Sequence, residues 1–330
     1  MRFRRLRWPR ALTLALLAAH CGLAAAAPYP ALPADTRADL SYFDAQGRRH
    51  EGSPALARMA HDADLVVWCA GNQFLAIPDA VAAFQALHPG ARIGVITMPP
   101  ELELRAIQAG GWRLRGRAYP GTPDIYGSIS LDDLRATRRV SEYVRYAHNE
   151  LQLLVARGNP RRVVDLHDLT RPELRVLLPN PLDEGIMKIY GEPILRSLGL
   201  WDQLVGGDPC RDCDRAGHVH FARVHHREAP RGVSQGGADV ALVWSTEVEE
   251  AVRGGAAVEG IALPPEQSGR DLVTYFAGSL AHGPHETLAR DFLMWLVGPG
   301  GQKVYTGHGF AAIGASEGMV QSLAVTRASR

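Results

Sequence analysis

The string His225-His226-Arg227-Glu228 is the most unusual local concentration of chemistry in this chain of 330 residues. An imidazole can move a proton or ligate a metal near neutral pH. An arginine fork can grip a carboxylate or phosphate through two parallel bonds. On a strand, His225 and His226 would face opposite ways, so one metal could use both only if the backbone bends. Arg227 reads either as an anion clamp or as the partner of Glu228, which could instead cap the next helix. Just upstream, His218 and His220 share one strand face and, with Cys210 and Cys213, form a second cluster suited to metal binding or redox work. The gap between Cys213 and His218 fits no common zinc module. Haem attachment would need a histidine where Asp214 stands, and Gly206-Gly207-Asp208-Pro209 looks like loop, not the strand that precedes a thioredoxin-type helix. In an oxidising compartment Cys210 and Cys213 read most simply as a local disulfide, leaving Cys69 as a buried thiol.

Catalysis has little support. No G-x-S-x-G, H-E-x-x-H or G-x-x-x-x-G-K-[ST] string occurs, so the chain reads as a non-enzyme that needs no cofactor. A different set of polar residues stands where apolar runs give way to helices: Asn72 and Gln73, Thr97, Ser128, Asn180 and Asp183, and Trp244-Ser245. In open α/β sheets ligands bind beyond the carboxyl ends of strands, where helix starts supply unpaired N–H groups. Any one of these residues taken alone reads as a helix cap. As a set at equivalent strand ends, joined by His226 and Arg227, they read as the lining of a ligand cleft.

The elements behind that set alternate. Strands are expected over Asp64–Cys69, Arg92–Thr97 and Pro123–Ile129, separated by helices through Ile77–Leu87 and Leu102–Ala109. The pattern resumes with strands at Glu150–Ala156, Leu174–Leu178, His218–His225 and Asp239–Trp244, and helices over Ile186–Leu198 and Pro230–Gly236. A strand at Leu272–Leu280 and two helices, His285–Leu296 and Gly301–Gly309, close the chain. Continuous apolar runs alternating with amphipathic helices predict parallel sheets with crossover helices. About 300 residues exceed one ordinary core, so two lobes are expected.

The N-terminus sets the compartment. Arg2, Arg4, Arg5, Arg7 and Arg10 precede the uncharged run Ala11–Ala19, and Ala24-Ala25-Ala26 offers a cleavage site. This is the pattern of a secretory signal peptide over residues 1–26, with residues 27–61 as an arm leading into the fold. The apolar run is short of the roughly 20 residues of a membrane span. His20 is a poor neighbour for a lipidated Cys21. The leader holds five of the 36 basic residues and no acid, so the remainder has 31 basic and 35 acidic residues, a net charge of −4. No basic block suggests nucleic acid.

Several segments together resemble the type II periplasmic solute-binding proteins, nearest their molybdate- and sulfate-binding branch. Phe84 with His88-Pro89-Gly90 is similar to that family's turn before its second strand. Ala147–Pro160 resembles its crossover strand, and Gly199-Leu200-Trp201 its helix ending. Val233–Glu247 and Ala289–Phe310 resemble two later stretches in the same order. The resemblance covers most of residues 62–312. It implies an α/β fold of two lobes, each a mainly parallel sheet flanked by helices, with a ligand cleft between them. Lobe 1 would comprise 62–145 plus 270–330 and lobe 2 146–269, the chain crossing near Val144–Asn149 and returning near Leu272–Ala277. It further implies a periplasmic monomer that captures a small polar or anionic solute for an inner-membrane permease or sensor. Members of that branch hold their dianion with hydroxyls and backbone N–H groups. Here the matching loops carry Glu101, Asp183, Glu184 and the 225–228 string, so oxyanion specificity does not follow.

Overall fold

A computed structural model describes residues 29–31, 39–98, 100–114, 116–182, 184–206, 217–223, 226, 228–281, 285–314 and 317–322. Asp183, Arg227, His225, Cys210, Cys213 and the leader lie outside the described residues.

The chain opens with the hairpin β1 (Asp39–Phe43) and β2 (Arg49–Glu51), then helix α1 (Gly52–Asp62). The apolar run then forms β3 (Leu65–Cys69), helix α2 (Ile77–Leu87), β4 (Ile93–Thr97) and helix α3 (Pro100–Ala109). A small hairpin, β5 (Gly111–Leu114) with β6 (Arg117–Pro120), precedes β7 (Ile125–Ser128), helix α4 (Asp132–Ala136) and the long strand β8 (Val140–His148).

From there the chain enters a second sheet. Its strands are β9 (Leu151–Ala156), β10 (Val176–Leu178), β11 (Val219–Phe221), β12 (Val240–Trp244) and β13 (Val258–Ala262). Between them run helices α5 (Glu192–Ser197), α6 (Trp201–Leu204), α7 (Glu228–Ser234) and α8 (Ser245–Arg253). After α9 (Pro265–Ser268) the chain returns to the first sheet with β14 (Thr274–Leu280), adds helices α10 (Glu286–Val297) and α11 (Pro299–Gly307), and ends in β15 (Gln321–Ser322).

Eight strands in the order β15-β8-β14-β7-β3-β4-β1-β2 make the first sheet, and five in the order β11-β10-β12-β9-β13 make the second. The sheets are more mixed than the sequence suggests. Parallel pairing is confined to β7-β3-β4 and to β11-β10-β12, and antiparallel strands flank both trios. Within the trios β3, β10 and β12 read as unbroken apolar runs, the pattern expected when both faces are covered. The flanking strand β8 interleaves Glu142 and Arg145 with buried Val144 and Tyr146, and this broke the pattern in the sequence.

The segment read as an arm contributes to the sheet instead. Strand β1 pairs with β4 along five residues, and α1 packs on it so closely that a Cβ at Gly94 would collide with the Met59 side chain. Polar residues between the buried Tyr42, Phe43, Leu56 and Met59 hid these elements. On the opposite face α2 and α10 meet through Phe84, whose ring stands edge-on to Phe292 at 5.1 Å and to Trp295 at 5.9 Å. Aromatic pairs in this geometry add to area burial. Cys69 is buried beside the Thr97 hydroxyl at 3.5 Å. No helix among the described residues is long and apolar enough to cross a membrane.

Candidate functional site

The chain passes between sheets twice, from His148 to Leu151 and from Ala262 to Thr274, and a buried polar network lies at these crossings. Asn149, fully buried, places its amide 3.3 Å from both Thr246 Oγ1 and the Tyr275 hydroxyl. Tyr275 donates to Asn72 Oδ1 at 2.7 Å, and Asn72 Nδ2 donates to Thr246 Oγ1 at 2.7 Å. The Ser245 hydroxyl lies 2.7 Å from Asn149 Oδ1 and 2.9 Å from the Gly309 carbonyl. Asn72 follows β3 of the first sheet, whereas Ser245 and Thr246 follow β12 of the second. Loops from the carboxyl ends of the two parallel trios therefore meet, as a cleft site in an α/β protein requires.

The network also spends polar atoms. Both ends of the Asn72 amide are bonded within the protein. Gln73 donates to the Ala70 and Gly127 carbonyls at 2.7 and 3.2 Å and accepts from the Tyr146 hydroxyl. In this conformation these two residues hold the strand ends and the crossings in place. Thr97 and Ser128, both buried, stand at the ends of β4 and β7 on either side of β3. Trp244 turns the other way. Its indole packs edge-on against Tyr190 at 5.3 Å in the core, because the alternation of a strand sends it to the face opposite its neighbours.

The remaining candidates gather around a small cavity in the second lobe, lined by Glu184, His226 and Glu247 with Leu178, Ile186 and Leu242 among the apolar residues. Asn180 stands two residues past the end of β10 and closes a tight loop. Its side chain accepts from the Leu182 N–H at 2.9 Å, an Asx turn, while its own N–H donates to Glu184 Oε1 at 2.9 Å. Burial pushes the Glu184 carboxyl up to about 7, with nearby Glu247 and Glu228 adding to the rise, while the Asn180 N–H and His226 oppose it. His226 Nδ1 lies 2.7 Å from Glu247 Oε1, and Glu247 is buried.

The sequence carries this strand from His218 to His225, and among the described residues it is shorter at both ends, His225 itself lying outside them. Strand β11 stops at Phe221, where its three-residue partner β10 stops at Leu178, and His226 follows in a turn with φ +59°. The left-handed backbone swings the imidazole toward Glu247, a conformation that costs a non-glycine residue some strain. His218 sits in the turn just before β11, its Nε2 3.4 Å from the Leu169 carbonyl. Among the described residues no group of three or more histidines, cysteines or acids is placed to hold a metal.

Glu184 was visible in the sequence only as an acid that disagreed with the resemblance. Glu247, Asn149, Thr246 and Tyr275 were missed as site residues. An acid just after a strand reads as an ordinary helix start, and Tyr275 reads as core.

Two mixed α/β sheets, joined by two crossings and meeting at the carboxyl ends of their parallel strands, define a two-lobed periplasmic binding-protein fold. Residues 65–311 match the family model of bacterial extracellular solute-binding proteins, and the chain belongs to that family. Solved structures agree on the fold. The sulfate-binding protein SubI from Mycobacterium tuberculosis aligns at TM-score 0.58 and 19% identity over 77% of this chain and 88% of that one. A periplasmic molybdate-binding protein from Azotobacter vinelandii aligns at TM-score 0.55 and 16% identity, covering 76% of this chain and 100% of the other. The substrate-binding protein of an ABC transporter from Agrobacterium tumefaciens reaches TM-score 0.61 at 12% identity, covering 87% of each chain. None of the curated proteins compared with the chain matches it.

Proposed function

We propose that the mature protein is a periplasmic monomer that captures a small polar solute between its lobes and hands it to an ABC-type permease, without catalysing a reaction. The observation that carries this is the Asn72–Thr246 bond at 2.7 Å, which brings loops from the two sheets together beside a cavity. Closure of two lobes over a small molecule is the ordinary action of such an architecture. Export through cleavage of residues 1–26, and a disulfide between Cys210 and Cys213, rest on the sequence pattern.

Sheet membership supports a discontinuous first lobe, residues 39–148 with 274–322, and a continuous second lobe between them. Thr97, Ser128, Asn180 and His226 stand as solute contacts, and Asp183 and Arg227, outside the described residues, are added to them from the sequence pattern. Arg227 is the candidate for gripping any anionic group of the solute. Thermal melting of the mature protein across a panel of oxyanions, amines, amino acids and sugars tests the reading. A melting point raised by one class and unmoved by the rest is expected. No shift with any class would overturn it.

A further inference from the structure

We propose that the second-lobe cavity takes a primary ammonium group of the solute, held between the carboxylates of Glu184 and Glu247. This inference rests on the solute-capture reading and narrows it to a class of ligand.

The geometry begins with two acids buried where acids are costly. Glu184 is 4% exposed and Glu247 5%, and both line the same cavity. Each has one carboxylate oxygen engaged, Glu184 Oε1 by the Asn180 N–H and Glu247 Oε1 by His226. Among the described residues no hydrogen bond engages the second oxygen of either acid, and both acids line the same cavity. Two carboxylates brought this close together, away from bulk water, repel one another unless a proton or a cationic donor comes between them.

Size narrows the donor. The cavity offers about 10 Å³ to the centre of a water-sized group, near the least that admits one water molecule. An ammonium head is of that size and carries three donors. A tetrahedral dianion is larger and has no donor to offer, and the two carboxylates would repel it. The rest of the wall is apolar, Leu178, Ile186 and Leu242 among it, which suits the carbon next to an amine.

Charge balance gives the site a signature. The groups facing Glu184 are His226, Glu247 and Glu228, and burial outweighs all of them in raising its proton affinity to about 7. At neutral pH the empty site therefore holds part of a proton on Glu184. An incoming ammonium displaces that proton into solution, and affinity rises with pH. Going from pH 6 to pH 8 ionises a group of pKa near 7 from about one tenth to about nine tenths, which tightens binding about tenfold. An anionic solute would show the opposite trend.

The test titrates the mature protein with methylammonium, ethanolamine, glycine and putrescine, and with sulfate, molybdate, glucose and choline as controls. Melting shifts and calorimetry in MOPS and HEPES provide the readout. At least one primary amine should bind, about tenfold more tightly at pH 8 than at pH 6, with acidification of a weakly buffered solution. Choline, whose quaternary head has no donor and overfills the cavity, should not bind. Glu184→Gln and Glu247→Gln, each shown by its melt to be folded, should weaken the amine at least tenfold. Amine binding unaffected by both variants, or amines inert beside a control compound that binds, would overturn the inference and leave solute capture standing. The same holds if water alone occupies the cavity and only an oxyanion binds. Silence from every compound would remove both.

Discussion

Asn72, in the loop after the first sheet's β3, donates from its side-chain amide to Thr246 in the second lobe at 2.7 Å, while accepting from Tyr275 on the returning strand. Three segments of the chain, 72, 246 and 275, thus share one buried group. Asn72→Ala would leave Thr246 and the Tyr275 hydroxyl short of a partner in a buried setting, a loss of about 1–3 kcal/mol. The expected result is a lower melting point and a larger radius of gyration without solute by small-angle scattering. Tyr275→Phe, which removes the hydroxyl while retaining the ring, should have a milder effect on the melt.

A contrasting link crosses nearby. Arg253 of α8 approaches His308 at 3.3 Å and Asp79 at 3.9 Å, and donates to the Gly307 carbonyl. Its side chain is 40% exposed, and water screens such contacts. Arg253→Ala should cost less than about 1 kcal/mol, and the loss should shrink further in 0.5 M salt. An effect as large as that of Asn72→Ala, measured by chemical denaturation, would contradict this ranking.

Glu184 predicts a pH-dependent stability. Its carboxyl titrates near 7 in the folded protein, above its ordinary value of 4.5. The folded state thus binds the proton more tightly than the unfolded chain. That contribution is fully present below about pH 4.5 and is lost as pH rises through about 7. Glu184→Gln keeps an oxygen to accept from Asn180 and carries no charge. It should stabilise the protein by roughly 2–3 kcal/mol at pH 8 and change little at pH 4.5. Melts at the two values decide it.

Gly127 tests how tightly the strand ends are packed. A Cβ there would come within 2.7 Å of Gln73 Oε1, the atom that accepts from Tyr146. Since Gln73 is held at both ends, it has no easy escape. Gly127→Ala should destabilise by about 1–3 kcal/mol, the usual range for overpacking. Gly127→Ala combined with Gln73→Ala should recover part of that loss, because the pair is coupled.

How much of this was readable beforehand depended on burial pattern. Strands β3, β4 and β12 are apolar along their length and lie within a residue of where the sequence put them. Strands β8 and β13 have one wetter face or charges between core residues, β1 is short with Ser41 between its apolar residues, and no loop signal marked them. The candidate site divides similarly. Asn72 and Ser245 were legible because strand-to-helix junctions are. Their engagement with Asn149 and Tyr275 was not, since those partners lie 77 and 203 residues from Asn72 along the chain. The position of His226 depends on a left-handed backbone turn that no glycine or asparagine marks at that position.

Strand β14 lies between β7 and β8 in the first sheet, yet it follows the whole second sheet in sequence. A ribosome that has finished Ala262 has therefore made every strand of the second sheet but has left β8 without its neighbour. Vectorial synthesis delays the bridging of β7 and β8 in the larger lobe until Leu280 emerges. That delay leaves the first sheet incomplete during most of the chain's translation. A chain truncated after Ala262 should protect amides of β9 and β12 from exchange while those of β8 remain open.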